Sequence, residues 1–262
     1  MEAARVAALK GHDVTLYEKS DRLGGLLNAV MVPDFKKDIS RLLDYLSTQM
    51  KKQGVKVVLR QEATPEAVIA LHPDVMIIAV GSPPEIREPE DAEKGTVLTT
   101  VDALLGKAQI GNRVLIVGGG RIGYDVAAHL SGQGKTVTVV TNRPELCWDI
   151  EYFARKRLLK ICAENKVQFK KNVTVEEIKG KRATIKDREG QRAFIELDNV
   201  VFDCRQCDGD MSRQCKICIN PRRDLTRSLL NLVPCTRFAG DCVSTGEIES
   251  AMHTGFIAGY SI

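Results

Sequence analysis

The chain has 262 residues, of which 44% are hydrophobic and 27% are charged, and its formal net charge is +4. This length can hold one large α/β domain or two smaller ones, and the composition is that of an ordinary globular protein. The positive excess lies mostly in "FARKRLLKICAENKVQFKK" and "NPRRD", without the basic stripe or known module of a nucleic-acid-binding protein. No apolar run reaches ~18 residues and no signal peptide is evident. The eight cysteines are too few and too unevenly placed for a disulfide scaffold, which favours a reducing compartment. We therefore expect a cytoplasmic protein that binds neither nucleic acid nor membranes.

The opening "MEAARVAALKGHDVTLYEKSDRLGG" has the pattern of half a nucleotide-binding unit. It predicts a helix of small residues, a turn at Gly11, a strand that ends at Glu18, and a glycine pair at Gly24 and Gly25. This is the second half of a βαβ unit, without the first strand and its glycine loop.

The next elements continue an α/β pattern. Apolar residues from Phe35 to Met50 recur at helical spacing, and a strand "VKVVL" follows. Thr64 and Pro65 are typical of a helix start. The strand "VMIIAVGS" reaches Gly81, where a backbone could approach a bound nucleotide, and "PPEIREPEDAEKG" is predicted to be a linker.

Residues 113–141, "RVLIVGGGRIGYDVAAHLSGQGKTVTVVT", repeat the opening in a complete form. A strand runs into Gly118-x-Gly120-x-x-Gly123, then a helix and a second strand, which is the dinucleotide-binding pattern. We predict that a pyrophosphate binds the glycine loop and the start of the helix, at Gly118, Gly120, Arg121, Ile122 and Gly123. With an offset of 123, Gly11 falls on Gly134 and Glu18 falls on Thr141.

The rest of the chain predicts a helix at "DIEYFARKRLLKICAEN", two or three β segments between Val167 and Glu196, and a strand "NVVF". That strand ends at Asp203, where the first repeat has Ala79-Val80-Gly81. In the tail, a strand is followed by Gly240-Asp241 and by a helix with small residues.

This tail resembles the closing motif of two-domain flavoprotein oxidoreductases, and "LYEKSDRLGG" is similar to their FAD-binding half. More narrowly, the chain resembles the C-terminal flavin region of the old yellow enzyme-related reductases, which include 2,4-dienoyl-CoA reductase, 2-enoate reductase and trimethylamine dehydrogenase. The resemblance implies an α/β fold with two Rossmann-like domains of the glutathione reductase type, the first lacking its initial strand and glycine loop. We expect a FAD domain from residues 1–107 and 225–262, and a NAD(P) domain from residues 108–224.

The resemblance also implies the chemistry, a hydride transfer from NAD(P)H to FAD that needs no catalytic side chain. Glu18 would bind the adenosine ribose, Arg22, Gly24 and Gly25 would lie along the FAD pyrophosphate, and Asp241 after Gly240 would bind near the ribityl chain. In that family an FMN-bearing barrel with an iron–sulfur cluster precedes this region. We therefore expect the chain to be a fragment of a larger enoate or dienoyl-CoA reductase-like flavoenzyme.

The second strand of the complete repeat indicates which nicotinamide nucleotide is preferred. NAD-binding units usually place an acid at its end, where it accepts from the ribose 2′-OH. Here Thr141 stands at that position and Arg143 follows it. A hydroxyl and a guanidinium suit a 2′-phosphate, so the sequence favours NADPH.

Four cysteines, Cys204, Cys207, Cys215 and Cys218, form paired C-x-x-C turns in "CRQCDGDMSRQCKIC". They could bind zinc, form a redox dithiol, or stay reduced without a ligand, and we assign no metal. The alternative function is a non-catalytic nucleotide-binding or zinc-stabilised interaction module.

Overall fold

The computed structural model describes residues 1–81, 85–86, 90–203, 218–219, 228–230, 232–242 and 246–262. Its contacts divide the chain into two compact units. The first, called the flanking unit, comprises Met1–Met31, Lys36–Pro83 and Asn220–Ile262, and the second, the central unit, comprises Val32–Phe35 and Pro84–Ile219. The domain bounds expected at residues 107 and 224 stay a prediction, while the contacts group residues 84–107 with the central unit.

The described helices are α1 (Glu2–Leu9), α2 (Leu27–Val30), α3 (Ile39–Lys52), α4 (Pro65–Leu71), α5 (Thr100–Leu105), α6 (Arg121–Gly132), α7 (Tyr152–Glu164) and α8 (Ile248–Tyr260). The described strands are β1 (Thr15–Glu18), β2 (Lys56–Leu59), β3 (Val75–Ile78), β4 (Glu85–Ile86), β5 (Val97–Thr99), β6 (Arg113–Val117), β7 (Thr136–Thr141), β8 (Gln168–Lys171), β9 (Val173–Lys179), β10 (Arg182–Asp187), β11 (Arg192–Glu196), β12 (Asn199–Phe202), β13 (Cys218–Ile219) and β14 (Cys235–Phe238). Within this described part, no helix is both long enough and apolar enough to cross a membrane.

The central unit is built on a five-stranded parallel sheet in the order β5-β12-β6-β7-β8. All four residues of β12 are buried, as expected for a strand in the middle of a sheet that is covered on both faces. The antiparallel sheet β11-β10-β9 adds Ile178, Ala183 and Ile185 to the same core cluster as Leu115 and Val200. The carboxyl ends of β6, β7 and β12 therefore meet at one edge, which is where open α/β sheets bind ligands.

The flanking unit contains two parallel strand pairs, β1 with β2 and β3 with β14. Its helices α1 and α8 pack closely because α8 has glycines at the contact. A Cβ added at Gly255 would lie 3.2 Å from Cβ of Glu2, and one added at Gly259 would collide with the carbonyl oxygen of Ala3. The small residues predicted in the tail helix thus serve helix packing.

The internal repeat is confirmed at the level of individual hydrogen bonds. In the first copy Gly11 N–H donates to the Ala8 carbonyl at 2.9 Å, and at the offset of 123 Gly134 N–H donates to the Ser131 carbonyl at 2.9 Å. Both glycines have positive φ, 94° and 82°. The strands that follow, β1 and β7, end at Glu18 and Thr141, the two residues that the repeat aligns.

Three expectations about local structure need correction. The region from Val167 to Glu196 holds four strands rather than two or three, because Asn172, at a φ of 58°, divides one polar and apolar run into β8 and β9. Residues 85–86, inside the expected linker, form β4 and pair with β13. The helix expected from Asp149 begins at Tyr152, where the Glu151 carboxylate caps it.

Candidate nucleotide-binding site

The glycine loop between β6 and α6 has the close contacts that require glycine. Gly118 has a φ of 127°, and a Cβ there would lie 2.6 Å from Cβ of Asp203. A Cβ at Gly123 would lie 2.5 Å from the Gly118 carbonyl oxygen. Any side chain at either position would therefore separate the loop from β12 or the helix from the strand, as the dinucleotide-binding pattern predicts.

Thr141, at the end of β7, lies behind this loop. Its Cβ would be 2.7 Å from a Cβ at Gly119, and its hydroxyl accepts a hydrogen bond from the Arg143 N–H at 3.2 Å. Thr141 is buried, whereas the guanidinium of Arg143 lies over the ring of Trp148, 4.0 Å from the ring centroid. The two residues proposed for the ribose end of the nucleotide are thus neighbours joined by a hydrogen bond, and stacking on Trp148 holds the Arg143 side chain.

The first turn of α6 begins at Gly120, which has no side chain to cap it. Two carboxylates from other elements take that role. Asp149 accepts from the Arg121 N–H with both oxygens, at 2.8 and 3.1 Å, and Asp203 accepts from the Gly123 N–H at 3.1 Å. These are the N–H groups that the sequence assigns to a pyrophosphate, and sequence reasoning did not identify either carboxylate as a partner.

Buried side chains surround Tyr124, which lies on α6 next to Gly123. The Tyr124 ring is fully buried and stacks on Phe169 at 5.2 Å between centroids. Burial raises the pKa of the Tyr124 phenol and of the Cys147 thiol, and it raises the pKa of the Cys162 thiol to about 12. These groups are therefore uncharged at neutral pH and act as packing residues.

In the flanking unit, Glu18 ends β1 and its carboxylate is held by the next turn. The backbone N–H and the hydroxyl of Ser20 both donate to Glu18 Oε1, at 2.8 Å each. Arg22, two residues on, is exposed and pairs with Asp21 at 3.0 Å. Ser20 thereby fixes one oxygen of the acid that the resemblance assigns to a ribose.

Gly24 and Gly25 both have positive φ, 110° and 51°. A Cβ at Gly24 would lie 2.9 Å from Leu43 of α3, so this segment runs close over the helix. Asn28 fixes the turn by donating to the carbonyls of Leu23 and Gly25, at 3.0 and 3.1 Å. The tightly turned backbone, exposed at Gly25, is suited to lie along a phosphate chain.

The remaining predicted residues lie after β3 and β14, whose carboxyl ends share an edge because the strands are parallel. Gly81 follows β3 with a φ of 65°, and Gly240 follows β14 with a φ of 74°. Gly240 N–H donates to the Thr254 hydroxyl at 2.9 Å, and Asp241 accepts from Gly246 N–H at 3.3 Å. Cys242 donates its thiol to the Ile78 carbonyl at 3.1 Å, which ties the two strand ends together.

The structure thus brings the predicted residues of the central unit together around one glycine loop. In the flanking unit, Gly81, Gly240 and Asp241 share one strand edge. Glu18 ends β1, and Arg22, Gly24 and Gly25 follow it. Their roles in binding stay predictions. The zinc and dithiol alternatives concern residues that lie outside the described part, apart from the backbone of Cys218.

The sequence profile of the pyridine nucleotide-disulphide oxidoreductase family matches residues 1–205. Among curated proteins, an NADH oxidase of Thermoanaerobacter brockii is 29% identical over 266 residues, covering 100% of this chain and 39% of that protein. A cinnamate reductase of Clostridium sporogenes is 32% identical over 204 residues, covering 77% of this chain and 30% of that protein. The chain therefore spans well under half the length of these relatives.

Among solved structures, a 2-naphthoyl-CoA reductase in complex with 2-naphthoyl-CoA matches with a TM-score of 0.87 and 30% identity, over 100% of this chain and 38% of that one. A thioredoxin reductase of T. acidophilum matches with a TM-score of 0.67 and 20% identity, over 99% of this chain and 93% of that one. At 20% identity, the match to the thioredoxin reductase shows a shared fold only.

Proposed function

Because the chain belongs to the pyridine nucleotide-disulphide oxidoreductase family, we propose that it binds NADPH at the glycine loop of the central unit and FAD in the flanking unit. The fold class, the resemblance to the old yellow enzyme-related reductases and the class of NAD(P)H-dependent flavin oxidoreductase are confirmed, and FAD and NAD(P)H are the cofactors of this family. The assignment of these cofactors to particular residues is the proposal.

The observation that carries the proposal is that the Gly118 carbonyl oxygen lies where a side chain at Gly123 would begin. This close packing brings the N-terminus of α6, with the positive end of the helix dipole, against the end of β6. A dinucleotide pyrophosphate is the ligand that this arrangement is known to suit.

The residues of the flanking unit would hold FAD through its polar parts. Glu18 would accept from the ribose hydroxyls, and the backbone at Gly24 and Gly25 would follow the pyrophosphate. Gly240 and Asp241 would contact the ribityl region. FAD, when bound, supplies the hydride acceptor, and the protein contributes binding and orientation.

NADPH is favoured over NADH by the chemistry at the end of β7. Thr141 carries no charge there, so it does not repel a 2′-phosphate, and the Arg143 guanidinium can donate to one. An acid at that position would favour NADH instead.

Because the relatives are longer, the electron acceptor is proposed to lie outside residues 1–262. An FMN-bearing barrel, in the same longer protein or in a separate subunit, would receive electrons from FAD and reduce an unsaturated acid or thioester. The reductases among the relatives support this class of acceptor.

The proposal is tested with protein incubated with excess FAD, desalted, and then treated with NADPH without oxygen. We expect a retained flavin absorption band that NADPH bleaches. A colourless protein would contradict FAD binding by these residues, and a retained band that NADPH leaves unchanged would contradict the transfer and support a non-catalytic module.

Two alanine variants of α6 distinguish damage to the glycine loop from a general effect of adding a methyl group to this helix. In Gly123→Ala the new Cβ meets the Gly118 carbonyl at 2.5 Å, whereas in Gly132→Ala its nearest contact is 3.9 Å away. We expect Gly123→Ala to abolish bleaching by NADPH while flavin is retained, and Gly132→Ala to behave as the unmodified protein. Equal bleaching in both variants would place the nucleotide elsewhere.

A further inference from the structure

The loop between β7 and α7, residues 142–151, touches the glycine loop through its own backbone and side chains. We refer to it as the 142–151 loop. Its Cys147 N–H donates to the Gly119 carbonyl at 2.9 Å, and its Asp149 accepts from the Arg121 N–H with both carboxylate oxygens. The loop is therefore fastened to the proposed nucleotide site at two points.

Cys147 fixes the register of this loop. Its side chain is fully buried and its φ of 50° gives the left-handed turn that directs the chain back toward α6. The next residues, Trp148 and Asp149, are exposed. The loop is thus anchored by a buried residue while the two residues that follow are open to solvent.

Asp149 occupies a position that suits a phosphate. A carboxylate and a phosphate are both anions that accept from the free N–H groups at a helix N-terminus and are stabilised by its dipole. Arg121 is the first residue of α6, and its N–H is among the donors a pyrophosphate would use. A bound nucleotide and Asp149 cannot both take this N–H in the same geometry, and their charges repel.

We propose that Asp149 is an internal competitor for the nicotinamide nucleotide: its carboxylate holds the Arg121 N–H in the free protein and withdraws when the pyrophosphate binds. This inference rests on the proposed function. It adds to that function a residue that lowers the affinity of the protein for NADPH. The withdrawal moves residues 148–151 and leaves the Cys147 anchor in place. Since Arg143 stacks on Trp148, the same movement changes the surroundings of the group proposed for the 2′-phosphate.

The chain offers a matched control for Asp149. Glu151 lies two residues on, and its carboxylate caps α7 by accepting from the N–H groups of Phe153 and Ala154 at 3.0 and 3.2 Å. Asp149→Asn and Glu151→Gln each remove one negative charge from a helix cap in the same segment, and only the first changes the cap of α6. Asp149→Ala is a second variant that also removes the side-chain acceptor.

The experiment uses Trp148, the single tryptophan of the chain, as the reporter. NADPH is titrated into the unmodified protein and each variant while tryptophan fluorescence is followed. We expect Asp149→Asn and Asp149→Ala to lower the Kd for NADPH by about five- to tenfold, and Glu151→Gln to stay within about twofold. Without ligand, acrylamide should quench Trp148 more strongly in Asp149→Ala, because the acceptor that holds the segment to α6 is gone.

The outcomes separate this inference from the proposed function. If NADPH binds all variants with one affinity, or binds the Asp149 variants more weakly, the competitor role is overturned and the nucleotide site stands. If Glu151→Gln tightens NADPH binding as much as Asp149→Asn, the tighter binding comes from a general loosening of the segment. The specific role of Asp149 is then overturned. If NADPH binds none of the proteins, the nucleotide site itself is overturned, and the competitor role with it.

Discussion

The carboxylate of Asp203 accepts a hydrogen bond from the backbone N–H of Gly123 at 3.1 Å and so joins the end of β12 to the first turn of α6. The side chain is buried, 5% exposed, and its Cβ lies where a Cβ at Gly118 would collide. Asp203 therefore ties the end of β12 to the first turn of α6 and packs closely against Gly118, and this relationship leads to the first prediction.

Replacing Asp203 should destabilise the central unit. We expect Asp203→Ala to lower the free energy of unfolding by about 1–2 kcal/mol, since it removes a charged cap from α6. Asp203→Asn keeps an acceptor oxygen and should lose less than half of that amount. Urea denaturation followed by circular dichroism measures both, and equal midpoints for Asp203→Ala and the unmodified protein would show that the hydrogen bond adds nothing.

Arg143 should determine the choice between the two nicotinamide nucleotides. Arg143→Ala is expected to weaken NADPH binding by about tenfold, because a charge-assisted hydrogen bond to the 2′-phosphate is lost. NADH binding should change by less than about twofold. Fluorescence titration with each nucleotide measures the Kd for NADPH and the Kd for NADH, and hence their ratio.

The control for this prediction is Arg188→Ala, which removes the same charge from the exposed turn between β10 and β11. It should leave both affinities unchanged. If Arg143→Ala weakened NADPH and NADH equally, Arg143 would be acting through the 142–151 loop and the preference for NADPH would need another source.

The sequence predicted the parts of the fold that depend on local pattern. Gly11 and Gly134 end equivalent helices with the same hydrogen bond because a left-handed turn there requires glycine, and this was readable from the repeat. Thr64 caps α4 by accepting from the Ala67 N–H, as the Thr-Pro pair predicts. The contact of Gly123 with the Gly118 carbonyl likewise follows from the spacing of the glycines.

The sequence did not predict what depends on the path of loops. Asp149 reaches Arg121 just after the left-handed turn at Cys147, and no local sequence pattern marks that turn. The sequence shows Asp203 at a strand end where the first repeat has Ala79-Val80-Gly81. Its hydrogen bond with Gly123 could not be predicted, because it depends on the long-range pairing of β12 with β6. The short elements β5 and α5 were missed for a similar reason, since β5 is specified by pairing with β12.

Asp198 should make the free energy of unfolding depend on pH in the acidic range. Its carboxylate accepts from the backbone N–H groups of Arg113 and Asn112 and from the Arg113 side chain, which lowers the pKa of Asp198 below its usual range. A lowered folded pKa means that the stabilisation is present above the ordinary pKa of about 3.9 and is lost as the pH falls through the folded pKa.

We therefore expect Asp198→Asn to unfold at lower urea concentration than the unmodified protein at neutral pH, and the difference to shrink steadily below about pH 4. The prediction is checked by measuring the urea midpoints of both proteins from neutral pH to below about pH 4. Glu189→Gln, in an exposed turn, serves as the control for removing one carboxylate. A difference that stayed constant down to the lowest pH would show that the charge of Asp198 is not its cause.

Cys147 and Cys162 should be protected from thiol reagents in the folded protein. Both side chains are fully buried, and burial raises the pKa of each thiol, to about 12 for Cys162. Because the thiolate is the reactive form, we expect iodoacetamide at pH 8 to modify these two at least about a hundredfold more slowly than Cys235, which is partly exposed. Peptide mass spectrometry after timed alkylation gives the three rates, and denaturation should make them equal. Rapid labelling of Cys147 alone in the folded protein would mean that the 142–151 loop is not anchored at Gly119, whereas rapid labelling of both would mean that the packing of α7 on α6 opens readily.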